Sequence, residues 1–120
     1  MDESGSLYDQ DLKNIVLWMP NWIGDVVLTL PALQSLRRAY PKAHITAVVK
    51  SPADELLLGH PVFNTVIPLP PESESGFWKR IKFALSLKKY QFDLGVVLPN
   101  SFESAFLLSL TGAKHRLGYN

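Results

Sequence analysis

The 120-residue chain contains no cysteine. That excludes a disulfide framework, a thiolate metal site and a cysteine nucleophile, and it suits a reducing cytoplasm. An excess of one charge is also missing, since 12 Lys+Arg stand against 11 Asp+Glu for a formal net charge of +1. Neither the basic field of a nucleic-acid binder nor the acidic excess of a disordered solubiliser is present, so no nucleic-acid partner is expected. Long hydrophobic runs are lacking too. The stretches Ile15 to Pro20 and Ile23 to Ala32 are separated by Asn21 and broken by Asp25 and Pro31, well short of a bilayer span. The opening MDESGSLYDQD holds four acids and no base, the reverse of a signal peptide's start, so residues 1–13 read as a flexible acidic tail with no export implied. His44, His60 and His115 are scattered without ligand spacing, so no metal site is expected. Phosphate-binding glycine motifs are absent as well. The chain has neither G-x-G-x-x-G nor a P-loop lysine, which removes the main support for NAD or a nucleoside triphosphate.

What is present is enough apolar sequence for one core: 47% of residues are hydrophobic and 19% charged, in a length too short for two ordinary domains. From Asn14 the pattern becomes regular. Ile15 to Met19 is a continuous apolar run closed by Pro20-Asn21, as in a parallel strand buried on both faces. Val26, Val27, Leu30, Leu33, Leu36 and Tyr40 then recur near helical spacing until Pro41. Pro31 predicts either a kink or a first turn ending near Leu30 with the main helix beginning at Pro31. Ala43 to Val49 reads as a second strand, Pro52 to Gly59 as a short helix, and Val62 to Leu69 as a third strand. Pro68 to Gly76, with three prolines, reads as an exposed loop. Beyond it follow a helix over Phe77 to Tyr90, a strand over Phe92 to Leu98, a helix over Ser101 to Leu110 and the start of a strand at His115 to Tyr119. Strands alternating with helices over short connections predict an α/β fold: a Rossmann-like, doubly wound, mainly parallel sheet with helices on both faces.

In such a sheet, ligands sit beyond the carboxyl ends of the strands. The loop after the first strand reads Pro20-Asn21-Trp22-Ile23-Gly24-Asp25: a polar amide, a large aromatic, a glycine permitting close backbone approach, and an acid at a helix start. Asp25 has two compatible readings. As a first-turn acid it satisfies free N–H groups; as a general base at the crevice rim it accepts a proton from a sugar hydroxyl. The loop after the fourth strand holds Asn100, Ser101 and Ser104, either a capping turn or neutral donors and acceptors for a hydroxyl-rich ligand.

The run Met19-Pro20-Asn21-Trp22-Ile23-Gly24-Asp25-Val26-Val27 with Pro31-Ala32-Leu33, then Tyr40-Pro41, Val97-Leu98-Pro99-Asn100-Ser101-Phe102 with Ser104-Ala105, and Arg116-Leu117-Gly118-Tyr119 resembles the bacterial ADP-heptose:lipopolysaccharide heptosyltransferases of glycosyltransferase family 9. The motifs occur in family order from about Asn14 to Tyr119. The resemblance implies a GT-B fold of two Rossmann-like domains, with residues 14–120 as a truncated N-terminal acceptor-binding domain and the C-terminal donor-binding domain absent. It implies inverting transfer of heptose from ADP-L-glycero-β-D-manno-heptose to heptosyl-Kdo2-lipid A at the cytoplasmic face of the inner membrane, without cofactor or metal. Asp25 matches the family's proposed base. Asn21, Trp22 and Gly24 then shape the acceptor side of the cleft, with Asn100, Ser101 and Ser104 across from them. Glu103 departs from the family pattern, which has a basic residue there. A non-catalytic α/β ligand-binding module and a glycosyltransferase for another sugar are the alternatives.

The third helix stands apart from these motifs. Lys79, Lys82, Ser86 and Lys89 fall on one face, against an apolar arc of Phe77, Trp78, Ile81, Phe83, Ala84, Leu85 and Leu87 interrupted by Arg80 and Lys88. This reads as a surface helix with a solvated basic face, or as a contact with an anionic membrane.

Overall fold

A computed structural model describes residues 12–20, 23–51, 53–70, 77–98 and 102–118. Within them the chain runs β1 (Asn14–Trp18), α1 (Ile23–Ala39), β2 (His44–Lys50), α2 (Ala53–Leu57), β3 (Thr65–Leu69), α3 (Phe77–Ser86), a 3-10 turn (Leu87–Tyr90), β4 (Leu94–Val97), α4 (Phe102–Leu110) and β5 (His115–Gly118). All neighbouring strands pair in parallel, in the order β3-β2-β1-β4-β5. This is the doubly wound arrangement expected from the strand–helix alternation.

The sheet separates two cores, and the two-residue period of the strands decides which side chain enters which. Ile15, Leu17, Met19, Ile45, Ala47 and Val49 pack with Val26 and Leu33 of α1 and Leu57 of α2. Val16, Trp18, Val48 and Val97 point the other way, against Ala84 of α3 and Leu107 and Leu108 of α4. Trp18 meets Phe83 edge-on, with ring centroids 6.3 Å apart. Burial on both faces is why β1 and β2 read as unbroken apolar runs. Pro68, without an N–H, lies exposed in β3 at the edge of the sheet, where a strand tolerates proline. A Cβ on Gly95 of β4 would come 3.0 Å from Leu108 Cδ1 and 3.2 Å from Ala113 Cβ, so its bare backbone lets α4 sit close on the strand.

Several boundaries differ from the sequence reading. Helix α1 is continuous through Pro31. Val26 and Leu33, both buried and seven residues apart, seat the two halves on the same core, while Pro31 lies exposed on the outer side. The carbonyl of Val27, whose helical donor Pro31 cannot supply, belongs to a residue 47% exposed, so water can satisfy it. The third strand begins at Thr65 rather than Val62, because Val62 is buried within a turn whose carbonyl serves Arg37. The third helix tightens into the 3-10 turn at Leu87 and ends at Gln91 in the left-handed region, φ 55°. Trp78 and Leu85, read from spacing as part of the apolar arc, are exposed, whereas Arg80 is buried. Packing of the described residues begins at Leu12, which is buried, two residues before β1.

Thr46 makes one stability test possible. It is fully buried on β2, and its Oγ1 has no hydrogen-bond partner among the described residues. A buried hydroxyl without a partner has lost its hydration for no return. Thr46→Val, nearly identical in shape, is expected to raise the unfolding free energy by about 1 kcal/mol, seen as a higher urea midpoint. A lower midpoint would mean that the hydroxyl is satisfied.

Candidate functional site

The sheet order reverses between β1 and β4: β2 and β3 extend to one side of this pair, β4 and β5 to the other. Crossovers leaving in opposite directions open a crevice at the carboxyl ends of such a pair. The pairing carries right up to the crevice. Trp18 is in register with Val97, and the Leu98 N–H donates to the Trp18 carbonyl at 3.0 Å. The two loops singled out in the sequence therefore leave the sheet side by side. Each leads into a helix, α1 and α4, whose free N–H groups and positive dipole end suit a carboxylate or phosphate.

Asp25 lies in the first turn of α1 and is exposed. Its carboxylate takes no hydrogen bond or ion pair among the described residues, in contrast to the closed bond that a side-chain cap makes. The carboxylate is open to solvent at the start of the helix, within reach of an incoming hydroxyl, as a proton acceptor must be. Gly24 is exposed next to it, and a Cβ there would meet nothing within 4 Å. Its lack of a side chain answers no packing need within the described chain and leaves the backbone open to a ligand. Ser104 belongs to the first turn of α4, across the β1–β4 pair from Asp25; its side chain lies outside the described set, as do Asn21, Trp22, Asn100 and Ser101. Among the described residues no three His, Cys, Asp or Glu side chains gather as a metal site.

Spacing alone had not identified the role of Arg80. It is 7% exposed, and its Nε donates to the carbonyl of Pro70, just past β3, at 3.0 Å, tying the first turn of α3 to this same edge of the sheet. The signal was available: Arg80, Ala84 and Leu87, all buried, sit at i, i+4 and i+7. The opposite edge is built for stability. There Asp93 Oδ2 accepts from the Lys13 and Asn14 N–H groups at 2.9 and 3.0 Å, latching the entry of β1 to that of β4. A shallow depression lined by Lys13, Lys88, Asp93 and Lys114 also lies at that far edge, away from both loops.

Comparison with known proteins agrees with this topology. The family model described as glycosyltransferase family 9 (heptosyltransferase) matches residues 80–120. The lipooligosaccharide heptosyltransferase 2 of Haemophilus ducreyi is 33% identical over 106 residues, covering 88% of this chain and 30% of that protein. The structure of Escherichia coli ADP-heptose lps heptosyltransferase II superposes with a TM-score of 0.76 at 31% identity, over 88% of this chain and 30% of the other. A family 9 glycosyl transferase from Veillonella parvula, 20% identical, shares the fold with a TM-score of 0.83 over 93% of this chain and 37% of its own. The chain thus spans about a third of the length of the curated relatives it matches. With sequence likeness along most of its length, the same sheet, and a family match over its last third, this chain is similar to the heptosyltransferases of glycosyltransferase family 9.

Proposed function

We propose that this chain is the acceptor-binding N-terminal half of a GT-B heptosyltransferase of lipopolysaccharide inner-core synthesis. The whole protein transfers heptose from ADP-L-glycero-β-D-manno-heptose to heptosyl-Kdo2-lipid A, as heptosyltransferase II does. The observation that carries this reading is the exposed Asp25 carboxylate at the α1 end of the β1–β4 crevice. Asp25 accepts the proton of an acceptor heptose hydroxyl as that oxygen attacks the anomeric carbon; the bond from that carbon to the phosphate oxygen breaks, its electron pair leaves with ADP, and the configuration inverts. Asn21, Trp22 and Gly24 on the β1 side and Asn100, Ser101 and Ser104 on the β4 side hold the acceptor by hydrogen bonds and stacking. The departing diphosphate is stabilised from the donor-binding half. Because the acceptor is anchored in lipid, the protein works at the cytoplasmic face of the inner membrane.

The test joins this chain to a donor-binding half and supplies ADP-heptose with heptosyl-Kdo2-lipid A. Release of ADP matched by a product one heptose heavier supports the reading. Acceptor binding without ADP release would support a non-catalytic module, and turnover only with another nucleotide sugar would support a different transferase.

A further inference from the structure

Helix α3 has an outward face for which the fold supplies no use. Arg80, Ala84 and Leu87 fix its inner side, so Trp78, Lys82 and Leu85, at i, i+4 and i+7, look outward with Lys79 beside them. Trp78 is 68% exposed and Leu85 41% exposed, and the Trp78 ring makes no aromatic contact or hydrogen bond among the described residues. An isolated surface leucine is ordinary. An exposed tryptophan one helical turn from a lysine and two from a leucine forms a combined apolar and cationic stripe. The charge is one-sided as well. Phe77 to Phe92 holds five Lys or Arg and no Asp or Glu, in a chain whose formal net charge is only +1.

We infer that this face docks on an anionic phospholipid bilayer. Indole rings settle at the headgroup level, where one edge is wet and the body is apolar. Lysine stems lie along the apolar boundary while their ammonium groups stay among the phosphates. A soluble protein partner would need a complementary acidic and apolar surface; an anionic leaflet offers both components at any point. Position adds to this, and here the inference rests on the proposed transferase function. Helix α3 starts at the carboxyl edge of the sheet, where Arg80 meets Pro70 just past β3, the edge that also carries the β1–β4 crevice. A lipid-anchored acceptor rising from the leaflet beside α3 reaches that crevice without leaving the membrane.

The experiment is co-sedimentation of the 120-residue chain with vesicles of phosphatidylglycerol and phosphatidylethanolamine, against vesicles of phosphatidylcholine, with no acceptor or nucleotide sugar present. The chain is expected to sediment with the anionic vesicles and to be released by added salt. Lys79→Glu with Lys82→Glu is expected to weaken binding at least about 20-fold, from roughly fivefold per basic residue at an anionic surface. Trp78→Ala is expected to weaken it about tenfold through loss of inserted apolar area. These positions are exposed, so far-ultraviolet circular dichroism and thermal melting should be unchanged. Equal binding to both vesicle types, no binding to either, or undiminished binding by the double lysine variant would each overturn the inference. Asp25→Asn separates this surface from the transfer chemistry: its vesicle binding should equal that of the unmodified chain. Loss of vesicle binding in that variant alone would place the contact on α1 instead of α3.

Discussion

Asp25→Asn in a protein that contains both halves of the cleft is expected to lower heptosyl transfer by about 10²–10⁴-fold, the range that a positioned general base contributes, while the chain folds as before. Asparagine keeps the size and polarity of the side chain but cannot accept the proton of the attacking hydroxyl. The fold should tolerate the change because the Asp25 carboxylate closes no hydrogen bond among the described residues and lies exposed. Only its favourable interaction with the α1 dipole is lost, about 0.3–1 kcal/mol. Acceptor affinity, measured by equilibrium binding, should change little. Near-normal turnover in the folded variant would leave Asp25 as a first-turn acid and move the base elsewhere. A large fall in stability together with activity would identify a structural role instead.

Arg37→Met is expected to have the largest effect on stability, lowering the unfolding free energy by about 3 kcal/mol with no specific effect on transfer by the protein that remains folded. The guanidinium spreads its donors over two stretches of chain, residues 40–43 and 62–64. Nε and Nη2 reach the Val62 carbonyl at 3.1 and 2.7 Å, and Nη2 also reaches Asn64 Oδ1 at 2.6 Å. Nη1 donates to the carbonyls of Ala43 at 2.8 Å, Pro41 at 3.2 Å and Tyr40 at 3.4 Å. Asn64 Oδ1 in turn accepts the Ile45 N–H at 2.8 Å. One side chain thereby closes the end of α1 and holds the entries of β2 and β3. Methionine keeps the stem and removes all of the guanidinium's donors. Arg37→Lys should recover only part of the loss, since an ammonium is a point charge and cannot fork across three directions. An unchanged denaturation midpoint for Arg37→Met would show that the clamp adds nothing. The same variant should keep its vesicle binding, because α3 packs on the opposite face of the sheet from α1.

Legibility in the sequence followed the range of each interaction. The run Ile15 to Trp18 announced a strand buried on both sides, because every residue in it must avoid water whichever face it takes. Gly59 and Gly112 have φ of 81° and 77°; the first, past the end of α2, was recognisable as a helix stop because few other residues adopt that conformation readily. Pro31 misled. Its ring removes one bond locally, but the burial of Val26 and Leu33 on the same core outweighs that loss, and no local rule contains this sum. Trp78 was read into the apolar arc of α3 for the same reason. Hydropathy places tryptophan inward and arginine outward, whereas the Pro70 carbonyl and the neighbours Ala84 and Leu87 determine which side of α3 meets the sheet.

From sequence alone came the alternation of strands and helices, the parallel α/β class, the two loops that bear polar and acidic residues, and the family likeness carried by Asn21 to Val27 and Leu98 to Ser104. These depend on periodicity and on residues close together in the chain. Tertiary structure alone decided that β1 and β4, about 80 residues apart in sequence, lie side by side, so that the two loops leave the sheet from neighbouring strands. It also decided that Arg37 closes one edge and that Trp78 faces outward. Strand order and helix rotation come from how the two cores fill on either side of one sheet, a balance over the whole chain that no local spacing encodes.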